Sequence, residues 1–359
     1  MSAPSRPPGP LAFGRFVITR RIARGGMAEI FRAWSEADGW VALKLMREGL
    51  GHDELRARLF EREARLGTEL RHPHILPVYE HGAVQGRRYL CMRYAVGRDL
   101  GQLLESGVPR LPVEIVLELG RRAAAGLGHA HRLERPDGRR LNVVHRDVSP
   151  GNVMLGFAGE VWVLDFGVAR FEETARPEET GAQILRGKFA YMSPEQTRGE
   201  PVDARSDVYS LGTLLYELLT GTNPFRGRGP FDTLERVQSH RPLPPSRVRS
   251  GLPAGIDEVL ARCLSKAPAH RFRDGKEVAA ALGSVLAGAG RAPVDLEGYA
   301  RRRFARMEAR ARAELEAERV AARSVAPSRL RGPGDLGRPS LDLPNLRISV
   351  DDEVSRTAL

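Results

Sequence analysis

A chain of 359 residues with a formal charge of +11 is long enough for one large domain or two, and its two cysteines cannot build a disulfide framework or a cysteine-rich zinc site. No apolar run approaches the roughly 18 residues that a membrane helix needs, and Met1 to Pro8 lack the apolar core of a signal peptide. The positive charge is spread out rather than gathered into an arm or stripe, so no nucleic acid and no membrane is expected as a partner, and the expected location is cytoplasmic.

Residues 1–12 are rich in Pro, Ser and Gly and are expected to be disordered. From Gly14 to Met46 short apolar runs (Phe16 and Ile18, Ile30, then Val41, Leu43 and Leu45) are broken by Gly25-Gly26 and Asp38-Gly39, a pattern of strands and turns. A helix follows, with Leu55, Leu59, Leu66 and Leu70 on one face. Glu63 falls on that face too, and a carboxylate there needs a partner. Tyr89 to Met92 is strand-like. Beyond Gly97, Ile115, Val116, Leu119, Ala123, Leu127 and Ala130 mark a long amphipathic helix, and Asp207 to Leu219 is apolar nearly all round, as a core helix would be. An α+β fold follows: a small β-rich lobe and then a larger, mainly helical one. Leu296, Tyr299, Ala300, Phe304, Met307, Ala311 and Leu315 recur at helical steps, giving a helix that docks on the domain or pairs with a partner, self-association through 296–323 included. From about Pro327 the chain is again expected to be disordered.

The densest chemistry lies at 145–152, His-Arg-Asp-Val-Ser-Pro-Gly-Asn, followed by Asp165-Phe166-Gly167. One carboxylate, Asp147, can accept a proton from a hydroxyl, while Asn152 and Asp165 can hold magnesium against phosphates. Upstream stand Ile22 to Ile30 around Gly25-Gly26, which a plain hairpin turn would also explain, and Val41-Ala42-Leu43-Lys44. Downstream stand Gly187 to Glu195 and, much later, Arg271. In this order and spacing, over roughly 14–285, these blocks resemble the eukaryotic-type (Hanks-type) serine/threonine protein kinases, the bacterial members above all.

That resemblance implies a bilobal protein-kinase-like fold at 13–286, divided near 95, with 287–326 as linker and helix and 327–359 as tail. It implies ATP and Mg2+ as cofactors, protein substrates bearing Ser or Thr, and autophosphorylation. ATP would be bound by Ile22, Ala23, Gly25, Gly26, Ile30, Ala42, Lys44, Met92, Tyr94 and Met154, with Glu63 as the ion-pair partner of Lys44. Asp147 would be the catalytic base, Asn152 and Asp165 the metal ligands. Glu195 would pair with Arg271 as a buried structural bridge, and Asp207 would anchor the catalytic-loop backbone. Arg146 would receive a phosphorylated activation-segment residue, Thr180 rather than Thr174.

Four departures qualify the match. Ala23 and Ala28 stand at glycine positions of the loop, and Arg93 stands where the family commonly has Glu. Gly67, one turn beyond Glu63, leaves room where the family packs a larger side chain. Most telling, Ser149 replaces the family's catalytic-loop Lys, while Lys188 stands where the family has Thr. Lys occurs only at 44, 188, 266 and 276 in this Arg-rich chain, which supports a swap in which Lys188 supplies the ammonium for the γ-phosphate. A nucleotide-binding pseudokinase or scaffold, with Lys188 merely solvated, is the alternative, and an interaction protein working through 296–323 is a third reading.

Overall fold

The computed structural model describes residues 9–49, 53–105, 110–135, 137–166, 188–290 and 293–325. It divides into two compact units. The first draws on the chain up to Ala57, on Tyr79–Tyr94 and on the chain from Ala309 onward; the second draws on Arg58–Val78 and Ala95–Glu308.

In the first unit the strands β1 (Leu11–Phe13), β2 (Phe16–Arg24), β3 (Ala28–Ser35), β4 (Gly39–Met46), β5 (Val78–Val84) and β6 (Arg87–Arg93) form one sheet in the order β1-β2-β3-β4-β6-β5. Alternation decides its faces: Ala33, Val41, Leu43, Leu45 and Cys91 are fully buried on one side, joined by Phe13 and Phe16. Tyr89 meets both phenylalanines edge-on, at 5.9 and 5.6 Å between ring centres. The strand pairing begins at Leu11, opposite Ile18, so the expectation of disorder through residue 12 is too long at its end. Ala12 and Phe13 pair with Val17 and Phe16 across a two-residue turn, which orders the segment.

Helix α1 (Glu54–Glu69) bears out the face read from leucines only in part: Glu63 and, just past its end, Leu70 are buried. Leu55 is 54% exposed, and the buried positions are Ala57, Phe60, Glu63 and Ala64. Two alanines carry little weight in a leucine count, although they let a helix approach its neighbour closely. The gap expected at Gly67 is also absent. A Cβ there would lie 2.8 Å from Val78 Cγ2, so Val78 already fills the space.

The second unit holds a three-stranded sheet of β7 (Gly97–Asp99), β8 (Val153–Gly156) and β9 (Val161–Val163). Its helices are α2 (Leu100–Glu105), α3 (Val113–His131), α4 (Pro194–Thr197), α5 (Ala204–Thr220), α6 (Pro230–Ser239), α7 (Pro245–Val248), α8 (Ile256–Cys263) and α9 (Gly275–Gly288). All six apolar positions expected along α3 are buried, and α5 is buried from Ser206 to Thr220. The Asp203 side chain caps the first turn of α5, and Gly221, in the left-handed conformation, ends it.

A last helix, α10 (Leu296–Arg323), is shared by the units at residue 308. Its first half buries Leu296, Ala300 and Phe304, with Phe304 against Phe157 at 5.4 Å between ring centres. Its second half is held in the first unit by charge: Glu314 and Glu318 meet Arg32, and Glu314 also meets Arg20. Among the described residues no helix is long and apolar enough to cross a membrane.

Candidate active site

In the first unit the β2–β3 hairpin carries the glycine loop. Ala23 pairs with Ile30 and Arg24 with Glu29, and the turn closes by Gly25 N–H donating to Ala28 O at 2.8 Å. Arg47, just past β4, holds it by donating to Gly26 O at 3.0 Å. Ile22 sits at a register shift in β2 and is 49% exposed. Across the sheet, Ile30 stands opposite Lys44, and Lys44 opposite Leu90; Ala42 stands opposite Met92. Opposed residues share a face, so Ile30, Ala42, Lys44 and Met92 lie on one side of the sheet, away from its core. Ala42 and Met92 are buried; Tyr94 is half-buried just past the end of β6.

The second unit carries Glu63, Met154 and the catalytic loop. Glu63 is buried on α1, and Met154 lies on β8 opposite Asp99 and Trp162. The loop is held by its backbone. Asp207 accepts the N–H of His145 at 2.7 Å and of Arg146 at 2.8 Å, as expected of it. Gly275 N–H donates to His131 Nδ1, so the proton sits on Nε2, which donates to Asp207 at 2.9 Å. His145 is used likewise: Asp147 N–H donates to its Nδ1, and its Nε2 donates to Leu164 O at 2.7 Å. The same ring packs on Phe166 with centres 4.8 Å apart, which ties the loop to the turn bearing Asp165.

Around the carboxylate of Asp147 two groups converge. Asn152 Nδ2 donates to Asp147 Oδ2 at 2.8 Å and to its carbonyl at 2.7 Å, and Lys188 Nζ donates to the same Oδ2 at 3.0 Å. Ser149 is 7% exposed and opens the short 3-10 turn Pro150–Asn152. Arg146 and Asp165 have φ of +67° and +43°, conformations that side chains other than glycine adopt at a cost and that gather at functional sites.

Below the loop, Arg271 forks onto Glu195 at 2.7 and 2.9 Å, with side chains 0% and 4% exposed. Ser206 Oγ donates to Glu195 at 2.6 Å. Although burial pushes the Glu195 carboxyl up, Arg271 and Ser206 hold it below the ordinary range. Thr174, Thr180 and Gly187 lie outside the described residues.

Two features escape the sequence. Gln196 Nε2 donates to Arg146 O at 2.8 Å while its Oε1 accepts Ser193 N–H. The Ser193-x-x-Gln196 spacing does show a capping box, but not the reach to Arg146. Arg32, buried on β3 with Glu314 and Glu318, has no local signal at all.

A strand-rich unit bearing Lys44, a helical unit bearing Asp147, Asn152 and Asp165, and the Glu195–Arg271 bridge together define a protein kinase fold. The chain belongs to that family: the protein kinase domain model matches residues 16–279. It is 38% identical over 281 residues to the tyrosine-protein kinase MasK of Myxococcus xanthus, covering 76% of this chain and 43% of that protein. It is 35% identical over 280 residues to the serine/threonine-protein kinase PknB of Mycobacterium leprae, covering 76% and 43%. Among solved structures, the kinase domain of Mycobacterium tuberculosis PknI matches with a TM-score of 0.57 at 30% identity, over 77% of this chain and 98% of that one. The chain thus spans less than half the length of these curated relatives.

Proposed function

We propose that the chain is an ATP- and magnesium-dependent protein kinase transferring the γ-phosphoryl group to Ser or Thr hydroxyls of proteins, itself included. The single observation that carries this reading is the Asp147 carboxylate held by Asn152 and Lys188 on a loop anchored through Asp207.

Asp147 would orient the acceptor hydroxyl and take its proton as the oxygen attacks phosphorus. Lys188 would place its ammonium beside that carboxylate, where the transferred group gathers negative charge. Ile22, Ala23, Ile30, Ala42, Met92, Tyr94 and Met154 would receive the adenine and ribose, while Gly25, Gly26 and Lys44, supported by Glu63, would serve the phosphates. The donor set suits magnesium. Asn152 commits its Nδ2 to Asp147, which leaves Oδ1 as an acceptor, and Asp165 adds a carboxylate; hard cations take such oxygens and complete their shell with phosphate oxygens. Bound there, the metal would neutralise charge on the β- and γ-phosphates. Arg146 would pair with phosphorylated Thr180, or Thr174, and so order the activation segment.

Intact mass before and after incubation with magnesium and ATP, beside an Asp147→Asn control, tests the reading. Phosphates added to the wild type alone are expected. No added phosphate on the chain or on trial substrates, with nucleotide still bound, would overturn it in favour of a pseudokinase.

Ser149 and the name of the Myxococcus relative support a second reading, in which the acceptor is a tyrosine phenol. Phosphoamino-acid analysis of the modified protein separates the two.

A further inference from the structure

We infer that the C-terminal half of α10 positions the nucleotide-binding face of the first sheet, with Arg32 as the positioning residue and Glu314 and Glu318 as its anchors. The inference rests on the ATP reading above.

Arg32 stands on β3 opposite Ala42, which stands opposite Met92; two residues away, Ile30 stands opposite Lys44. Residues two apart on a strand share a face, so Arg32 belongs to the side of the sheet that carries Lys44, not to the core side of Ala33 and Val41. A charged residue buried there is unusual: its side chain is 6% exposed. Both terminal nitrogens of its guanidinium are engaged, while the buried Nε has no hydrogen-bond partner among the described residues. One terminal nitrogen donates to Glu314 at 2.8 Å and to Glu318, and the other donates to the Tyr94 hydroxyl at 3.2 Å. The group also lies 5.8 Å from the Trp40 ring centre and 5.7 Å from that of Tyr94.

Glu314 and Glu318 are one helical turn apart, so a single face of α10 presents both carboxylates to one cation. Burial pushes the Glu314 carboxyl up, but Arg32 and Arg20 hold it below its ordinary range, so it stays charged at neutral pH. Arg32 thereby links α10 to three of the residues assigned to the adenine: Tyr94 by hydrogen bond, and Ala42 and Met92 by the cross-strand row.

Neutralising both carboxylates would strand a buried cation whose remaining partner is a phenol. The guanidinium would turn to water and release Tyr94, and that end of the adenine wall would loosen. Catalytic groups on the other unit would be untouched, so the loss should fall on nucleotide affinity.

The test titrates full-length protein with a fluorescent ATP analogue and magnesium, alongside ATP kinetics and a thermal midpoint, for wild type and Glu314→Gln/Glu318→Gln. The expected result is a Kd and an ATP KM raised about tenfold, which corresponds to about 1.4 kcal/mol, with kcat at saturating ATP retained. Arg32→Met alone, which removes the hydrogen bond to Tyr94, should weaken nucleotide binding to a similar degree, and adding it to Glu314→Gln/Glu318→Gln should cause little further loss, because the three residues act as one link. An unchanged Kd, a tighter Kd, a loss confined to kcat, or an Arg32→Met variant that binds nucleotide like wild type would each overturn the inference. Wild type that binds no nucleotide at all would instead remove the ATP reading beneath it.

Discussion

Lys188 donates to Oδ2 of Asp147 at 3.0 Å, the same oxygen that accepts Asn152 Nδ2. The ammonium therefore stands beside the proposed catalytic carboxylate, as the proposed swap with Ser149 requires, although it comes from a residue 41 positions away. Lys188→Met should lower kcat by roughly 10²-fold, the scale of removing one group that stabilises transition-state charge. Ser149→Lys added to that variant should restore part of the rate, because it returns an ammonium from the other side. Steady-state phosphorylation kinetics on the single and double variants decide it. A Lys188→Met enzyme with wild-type kcat would exclude the role.

The Glu195–Arg271 bridge should be a stability element with no hand in chemistry. Glu195→Gln removes the carboxylate from a guanidinium that is 0% exposed and so leaves a buried charge uncompensated. The loss should be about 3–5 kcal/mol, read from urea unfolding. The carboxyl is held below its ordinary range, so its contribution is present at neutral pH and disappears as pH falls through the folded-state value. Acidification should therefore narrow the gap between wild type and variant.

What was legible in the sequence was what is local. Ile115 to Ala130 on α3 and the all-round apolar α5 follow from large side chains at helical spacing, and both are buried as that spacing demands. The blocks proposed as catalytic loop and metal-binding turn stood out because their residues are contiguous and chemically distinctive. Even the Lys188 contact left a trace, since Lys is scarce in the chain. By contrast, α1 was legible only in part because Ala57 and Ala64 bury a face without contributing much hydrophobicity. The Arg32–Glu314 contact, 282 positions apart, arises only when tertiary packing brings α10 to β3. Positive φ at Arg146 likewise belongs to the assembled loop, because arginine does not favour it.

His72, packed between two other imidazoles, makes a second pH-sensitive element. His72 stacks on His129 with ring centres 5.1 Å apart and lies 5.4 Å from His74. Burial, aided by the two neighbouring rings, pushes His72 down to about 4 from 6.5. Between those values the unfolded chain binds a proton that the folded one refuses, so stability should fall as pH drops from 6.5 toward 4 and level off below. The ring is only partly buried, so the effect should be on the order of 1 kcal/mol after solvent screening. His72→Asn keeps an acceptor for the His74 N–H, which donates to His72 Nδ1 at 3.1 Å, but cannot titrate. Urea midpoints for the two proteins across this range should converge toward acid if His72 is responsible, and run parallel if it is not.

Gly67 inverts the usual rule for glycine in a helix. Replacing a helical glycine by alanine ordinarily stabilises by up to about 1 kcal/mol. Here the added Cβ would meet Val78 Cγ2 at 2.8 Å and Val78 Cβ at 3.3 Å, and a branched side chain offers no flexible end to swing aside. Gly67→Ala should therefore destabilise by about 1–3 kcal/mol, the range for overpacking. Val78→Ala on that background should recover the loss and expose the propensity gain, so the double variant should exceed Val78→Ala alone in thermal midpoint. If Gly67→Ala by itself raises the midpoint, α1 and Val78 are not in the tight contact that the geometry shows.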